Sequence, residues 1–196
     1  MNSLTTHYNY KEVVPASDIN GSTALHLAVR KGDRQMVHYL LSTYAEIGQN
    51  IDVREKKCVG GYASLHHSCL NGDKEVTKLL LLAGADVNVM ADSSLGESPL
   101  HICCKHGYIE CAKSLIEDGQ YQVNTDSRDA FGHNASFWAY SKRYEDMIRI
   151  LNLPPVHTCT AQEYMSIMMN RNGGKFAVPS LKKKKAAGKK GGKKKK

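Results

Sequence analysis

Apolar residues along this chain fall into short clusters that return with a regular beat. Met36, Val37, Leu40 and Leu41 form one cluster, Val76, Leu79, Leu80 and Leu81 a second, Cys111, Leu115 and Ile116 a third. Their spacings place each set on one face of a helix. A weaker fourth set comprises Met147, Ile148, Ile150 and Leu151. Each cluster follows, at a constant distance, a block that begins with glycine. "GSTALHLAVRKGD" starts at Gly21, "GYASLHHSCLNGD" at Gly61 and "GESPLHICCKHGY" at Gly96, and they share Gly, Leu, His and a second Gly at the same offsets. "GHNASFWAYSKRYEDMIRIL" from Gly132 is a looser copy, with Ala139 at a small-residue position. With Thr23, Ala63, Ser98 and Asn134 taken as equivalent, the intervals are 40, 35 and 36 residues. One structural unit is used four times.

In these blocks the sequence resembles the ankyrin-repeat family, whose unit runs to about 33 residues around a T-P-L-H-x-A core. The resemblance covers residues 18–153, in repeats at 18–53, 54–91, 92–128 and 129–153. It implies an all-α solenoid in which each unit is a β-turn, a short inner helix, a turn at glycine, a longer outer helix and a loop. Local chemistry points the same way. Ser98 before Pro99 reads as an N-cap followed by proline at the first helical position. Gly32, Gly72 and Gly107 suit left-handed helix ends, Gly84 closes the second repeat, and Asp33 and Asp73 suit the caps of the helices that follow.

The resemblance bears on the one stretch that suggests metal chemistry. His101, Cys103, Cys104 and His106 lie within six positions, a donor set that zinc would accept. In the family pattern Cys103 and Cys104 occupy two small-residue positions packed between neighbouring inner helices, where a thiol behaves as a small hydrophobe. Ser68 and Cys69 occupy the same places one repeat earlier. His26, His66 and His101 fall on the family's histidine position, whose ring is expected to hydrogen-bond the turns of adjacent repeats. No metal or other cofactor is expected. The six cysteines are expected to be free thiols, because adjacent Cys103 and Cys104 suit a disulfide framework poorly.

Departures from the pattern are informative. The first interval is about seven residues longer than a standard unit, and the excess falls between Tyr44 and Gly61, as a tolerated insertion or a binding finger. In the fourth repeat Ala135, Phe137 and Arg143 replace the proline, histidine and mid-repeat glycine; Trp138 and Tyr140 are expected in its core or cap, with core favoured. Pro154 and Pro155 end the stack. Thr160 and Glu163 then form a capping-box signature before a run rich in methionine, so residues 154–170 are expected to hold a helix that caps the stack or offers a partner surface. Residues 1–17 read as an N-terminal extension and 171–196 as a linker with a disordered tail.

Charge divides sharply. The chain carries 27 basic and 19 acidic residues, a net charge of +8. Ten lysines, Lys182, Lys183, Lys184, Lys185, Lys189, Lys190, Lys193, Lys194, Lys195 and Lys196, stand in the last fifteen positions without an acidic residue, leaving residues 1–181 slightly negative. The tail is a polycation suited to an anionic partner: an import receptor, an acidic tubulin tail, nucleic acid or anionic lipid. No run of signal-peptide or membrane-spanning length occurs, so an intracellular location is expected, cytoplasmic or nuclear, with cytoskeleton or cilium as further options.

No catalytic motif of the nucleophile-elbow, phosphate-loop, dinucleotide or zinc-protease kinds is present. The reading is therefore a non-enzymatic scaffold, a monomer within a larger assembly, that binds another protein and takes no small-molecule substrate. The family's groove positions fall here on Arg30, Lys31, Asn71, Lys105, His106 and Lys142, with Leu70 and Ser141 between them. The turn tips supply Tyr62, Leu95 and Phe131 as candidate anchors, beside Ile19, Asn20, Ser22, Val59, Ser94, Glu97 and His133. The alternatives are a component of a microtubule or axonemal assembly and a nuclear, nucleic-acid-associated protein. If the Cys/His cluster is repeat core, purified protein should hold no stoichiometric zinc and a chelator should leave its melting curve unchanged; zinc near one per chain, lost together with structure, would refute the assignment.

Overall fold

Inner and outer helices alternate along the chain in the computed structural model, which describes residues 17–46, 61–118 and 122–153. The N-terminal extension up to residue 16, most of the long first loop, the expected capping helix and the lysine tail lie outside the described residues. The inner helices are α1 (Ala24–Lys31), α3 (Ser64–Asn71), α5 (Pro99–His106) and α7 (Ala135–Ser141). The outer ones are α2 (Arg34–Glu46), α4 (Lys74–Leu82), α6 (Ile109–Asp118) and α8 (Glu145–Ile150). Each inner helix packs on the next inner helix and on its own outer partner, and the outer helices form a second row in the same order. An isolated antiparallel bridge between Ser17 and Thr23 is the β-type pairing among the described residues. The fold is the all-α solenoid that the repeats imply.

Capping explains why the inner helices begin where they do. In α5 the Ser98 hydroxyl accepts from the His101 N–H, while the Ser98 N–H donates to His101 Nδ1 at 3.2 Å. Histidine thus takes the part that Glu or Gln plays in an ordinary capping box. Thr23 with His26 repeats the arrangement, and the Ala63 N–H donates to His66 Nδ1 at 3.1 Å without a capping side chain. Because a backbone amide can only donate, Nδ1 must accept, and the ring proton sits on Nε2. From there it reaches the next repeat: His66 Nε2 donates to the Glu97 carbonyl at 3.0 Å and His101 Nε2 to the His133 carbonyl at 3.1 Å. The expected bridging role of these two histidines is met, and each also caps its own helix.

Inner helices end on glycine in the left-handed region, with φ of 72° at Gly32, 67° at Gly72 and 77° at Gly107. At Gly107 a Cβ would also stand 2.9 Å from the Tyr144 ring of the next repeat. Arg143 occupies the same position in the fourth repeat with φ of 57°, so the turn geometry persists although the residue that favours it is gone. Asp73 then caps α4 through the N–H groups of Glu75 and Val76, and Asp33 accepts from the Met36 N–H.

The core runs between the two rows. Leu25, Leu65 and Leu100 recur at one offset and are buried, as are Val37, Val76 and Cys111 further on. Cys69, Cys103 and Cys104 are fully buried free thiols, as the small-residue positions require. Burial raises the Cys103 and Cys104 thiols well above the usual range. Three residues of the expected outer-helix clusters stay out of this core, Met36 and Ile116 exposed and Ile150 half-buried, whereas half-buried Leu79 and Leu151 pack against it. Leu100→Ala should cost about 2–5 kcal/mol in chemical denaturation, whereas Leu95→Ala, at a half-buried turn tip, should cost far less; equal losses would mean that the repeat register is wrong.

Candidate protein-binding groove

Stacked turn tips form one wall of a groove and the C-terminal ends of the inner helices form the other. The tips are tied across repeats by backbone bonds, Asp92 N–H to the Gly61 carbonyl at 2.8 Å and Ala130 N–H to the Leu95 carbonyl at 2.9 Å. Gly61 is required for that approach, since a Cβ there would lie 2.4 Å from the Asp92 backbone. Within the first and fourth tips, Asp18 and Asp129 each turn Oδ1 toward two N–H groups of their own turn.

Arg30, Lys31, Asn71, His106 and Lys142 are exposed, Tyr62, Leu95 and Lys105 are half-buried, and Phe131 is 64% exposed. Asn71 is the least available of the set. Its amide donates to the Val29 carbonyl at 2.8 Å, so it acts as a strut that caps the preceding inner helix. Two of the turn-tip positions also turn inward. Ser22 is buried, and Glu97 is 3% exposed.

Glu97 organises the middle of the groove. It accepts from the Lys105 ammonium at 2.7 Å and from the Tyr62 hydroxyl at 3.3 Å, tying the second repeat's tip to the third repeat's inner helix. Lys105 Nζ also stands 5.2 Å from the centre of the Trp138 ring, within cation–π range. The indole N–H donates to Asp129 Oδ2 at 2.9 Å. Tyr62, Glu97, Lys105, Trp138 and Asp129 thus make a chain of contacts through three successive repeats. Trp138 is therefore half-buried in the groove wall instead of closed into the core, where Tyr140 does lie. Its indole N–H needs an acceptor, which the groove edge provides and the core does not. Beside it the His133 ring stacks on Phe137 at 3.7 Å between centroids, and Phe131 lies 6.3 Å from the same imidazole.

The sequence places Glu97 among the turn tips but does not reveal its inward contacts, and it favours the core for Trp138, although Trp138 carries a signal. Leu27, His67, Ile102 and Trp138 all stand four positions after the residue preceding their inner helix; Ile102 is fully buried and the other three are half-buried. His67 packs 6.2 Å from His26 and 5.9 Å from Tyr62. Desolvation first, with the nearby Arg30 charge adding to it, pushes its pKa down to about 4. Burial lowers His101 as well, opposed by its bond to the His133 carbonyl. Among the described residues no group of three or more His, Cys, Asp and Glu side chains is arranged to hold a metal ion, and no helix is long and apolar enough to cross a membrane.

A repeated capped inner helix, an outer partner and tips joined in one wall define a stack of the ankyrin kind. A family model described as ankyrin repeats in three copies matches residues 4–91 and again 65–154, and the chain belongs to that family. It is 35% identical over 109 residues to the target of rapamycin complex 2 subunit AVO2 of Saccharomyces cerevisiae, covering 56% of this chain and 24% of that protein. It is 35% identical over 95 residues to human ankyrin repeat and SOCS box protein 16, covering 48% of this chain and 19% of that one. The chain thus spans a quarter or less of these relatives' own length. The crystal structure of the ankyrin repeat domain of Bcl-3 superposes with a TM-score of 0.60 at 23% identity, over 67% of this chain and 56% of that one, which shows the shared fold. Stacks of this fold are protein-interaction scaffolds.

The two histidines make the groove sensitive to acid. Both folded-state values lie below the unfolded 6.5, so the unfolded chain binds more protons between pH 6.5 and the depressed values. Stability should be fully present above pH 6.5 and fall as pH drops toward about 4, read from urea midpoints at several pH values. His67→Gln should flatten part of that slope; an unchanged slope would contradict the desolvation account.

Proposed function

We propose that this chain is a non-enzymatic adaptor that receives another protein in the groove, while its C-terminal polylysine tail holds or addresses it to an anionic partner. The observation that carries the groove reading is Phe131. It is 64% exposed at the edge of an otherwise half-buried aromatic cluster, in a tip whose Ala130 N–H is bonded to the carbonyl of half-buried Leu95. A large apolar surface held rigidly by stacking and by the Trp138–Asp129 bond suits an interface anchor. The groove surface is Arg30, Lys31, Tyr62, Leu95, Lys105, His106, Phe131 and Lys142, with Asn71 in a supporting role. Relatives share this use of the stack only at the level of the fold.

The tail reading rests on charge alone. Ten lysines in fifteen positions bind polyanions through counterion release, with affinity that falls steeply with salt and is indifferent to sequence. Import receptors, acidic tubulin tails, nucleic acid and anionic lipid all offer such a target. Residues 154–170 serve in this reading as the cover of the fourth repeat, and the protein works inside the cell.

A photo-crosslinking residue placed at Phe131 or Lys142 should capture a partner protein in cells, whereas the same residue at Met36 or Leu82, exposed on the outer helices, should not. Removing residues 182–196 should abolish polyanion binding and change localisation while the Phe131 crosslink persists. Crosslinks to the same partner from Met36 but not from Phe131 would place the interface on the outer row and refute the groove reading.

A further inference from the structure

The first repeat has no predecessor among the described residues, and its N-terminal side shows what that leaves open. Capping fixes which positions correspond. Asp33 accepts from the Met36 N–H and Asp73 from the Val76 N–H, so Met36 stands where Val76, Cys111 and Met147 stand in the later repeats. Those three are 1%, 1% and 0% exposed, whereas Met36 is 46% exposed. The position faces backwards along the stack, because Cys111 hydrogen-bonds with Thr77 of the preceding outer helix. Tyr39, one turn further on, is 59% exposed where Ser114 is buried, and Ala24 is exposed where Ser64, Pro99 and Ala135 are buried. At the tip Ile19 is fully exposed, while its counterpart Ala130 donates its N–H to the Leu95 carbonyl of the tip before it. Later repeats bury these positions against a neighbour; the first presents them together as an apolar end face, and a stack of repeats needs its ends polar or covered.

The size of this face decides what can cover it. Three large side chains, at no more than about 250 Å² each, fall short of the about 800 Å² that each partner buries in a standard protein–protein interface. A second copy or a free partner would gain too little here to stay bound. A segment of the same chain needs far less area, because a short tether supplies an effective concentration of about millimolar order. Sixteen residues precede Ser17, and the bridge between Ser17 and Thr23 fixes where they join the first tip, two positions before Ile19. Ten residues of extended chain span about 33 Å, against about 8–10 Å between packed helices, so the segment reaches from the tip to the outer helix. It carries Leu4, Tyr8, Tyr10, Val13 and Val14. The ankyrin family model also matches from residue 4 onwards, ahead of the first described repeat.

We infer that residues 4–16 lie across the N-terminal end of the stack in the place of a missing repeat, with apolar side chains of this segment seated on Ile19, Met36 and Tyr39. The chain closes one end of its own solenoid, and the partner surface is left to the groove. The inference stands apart from the groove reading, since the two faces share no residue.

A benzoyl-phenylalanine in place of Tyr39 in the full-length protein, irradiated in dilute solution, should form crosslinks within one chain that peptide mass spectrometry maps to residues 4–16. The same group in place of Lys31, exposed on the groove side of the first repeat, should not, although the tether would reach it. Crosslinks from position 39 to a second chain, or equal yields to residues 4–16 from both positions, would overturn the inference. A stability cycle in the full-length protein gives a second readout. Met36→Ser, and Val13→Ser combined with Val14→Ser, should each lower the melting temperature by about 2–4 °C, and all three changes together should lower it by clearly less than the sum. No loss from either variant, or losses that simply add, would mean that the segment and the end face do not touch.

Discussion

Everything in the stack depends on how one imidazole satisfies two repeats at once. His66 and His101 accept a backbone N–H at Nδ1 from the residue that starts their own helix and donate from Nε2 to a carbonyl in the following turn. A buried helix start and a buried turn carbonyl would each be costly if left unmatched. A single neutral ring resolves both, with a tautomer dictated by geometry. The bond also sets the distance between one inner helix and the next tip, and so the spacing of the whole groove. A protonated ring has no acceptor to offer, which is why burial must hold the His101 imidazole neutral.

Close spacing of the inner row in turn requires small side chains between helices. Cys69, Cys103 and Cys104 meet that need, and the raised thiols of Cys103 and Cys104 follow from the desolvation that this tight packing brings. Cys111 shows the reverse tendency: its hydrogen bond with Cys103 lowers it despite burial. Successive outer helices are also joined by ion pairs such as Arg34 with Asp73 at 2.9 Å and Lys74 with Glu110 at 3.0 Å. Both pairs are partly exposed and contribute little to stability, so apolar burial between the rows carries most of it.

The groove inherits its character from this regularity and from one exception to it. Tips and helix ends repeat, but the helix ends are basic in the first, third and fourth repeats and neutral in the second, at Leu70 and Asn71; Glu97 turns inward and pairs with Lys105. The fourth repeat adds the aromatic cluster where a histidine bridge would otherwise stand. Phe137 in the histidine position cannot make the bond, and it stacks on His133 instead, which itself receives the bond from His101. The end of the stack thus exchanges a polar bridge for an apolar surface.

Much of this was legible in the residues. Gly, Leu, His and Gly at fixed offsets specify the repeat because each position answers to a local demand: a left-handed turn, a buried side chain, a cap. Those demands recur wherever the unit recurs, so Gly107, Leu100 and Ser98 could be assigned from sequence alone. The groove residues were legible only as positions. Whether Lys105 offers its charge, Asn71 is free to bind, or Trp138 lines the core or the groove depends on what the neighbouring repeat places within about 3 Å. Glu97 lies eight positions from Lys105 and 35 from Tyr62. Contacts at such separations have no local signature in the chain, and only the stacking of one repeat on the next brings them together.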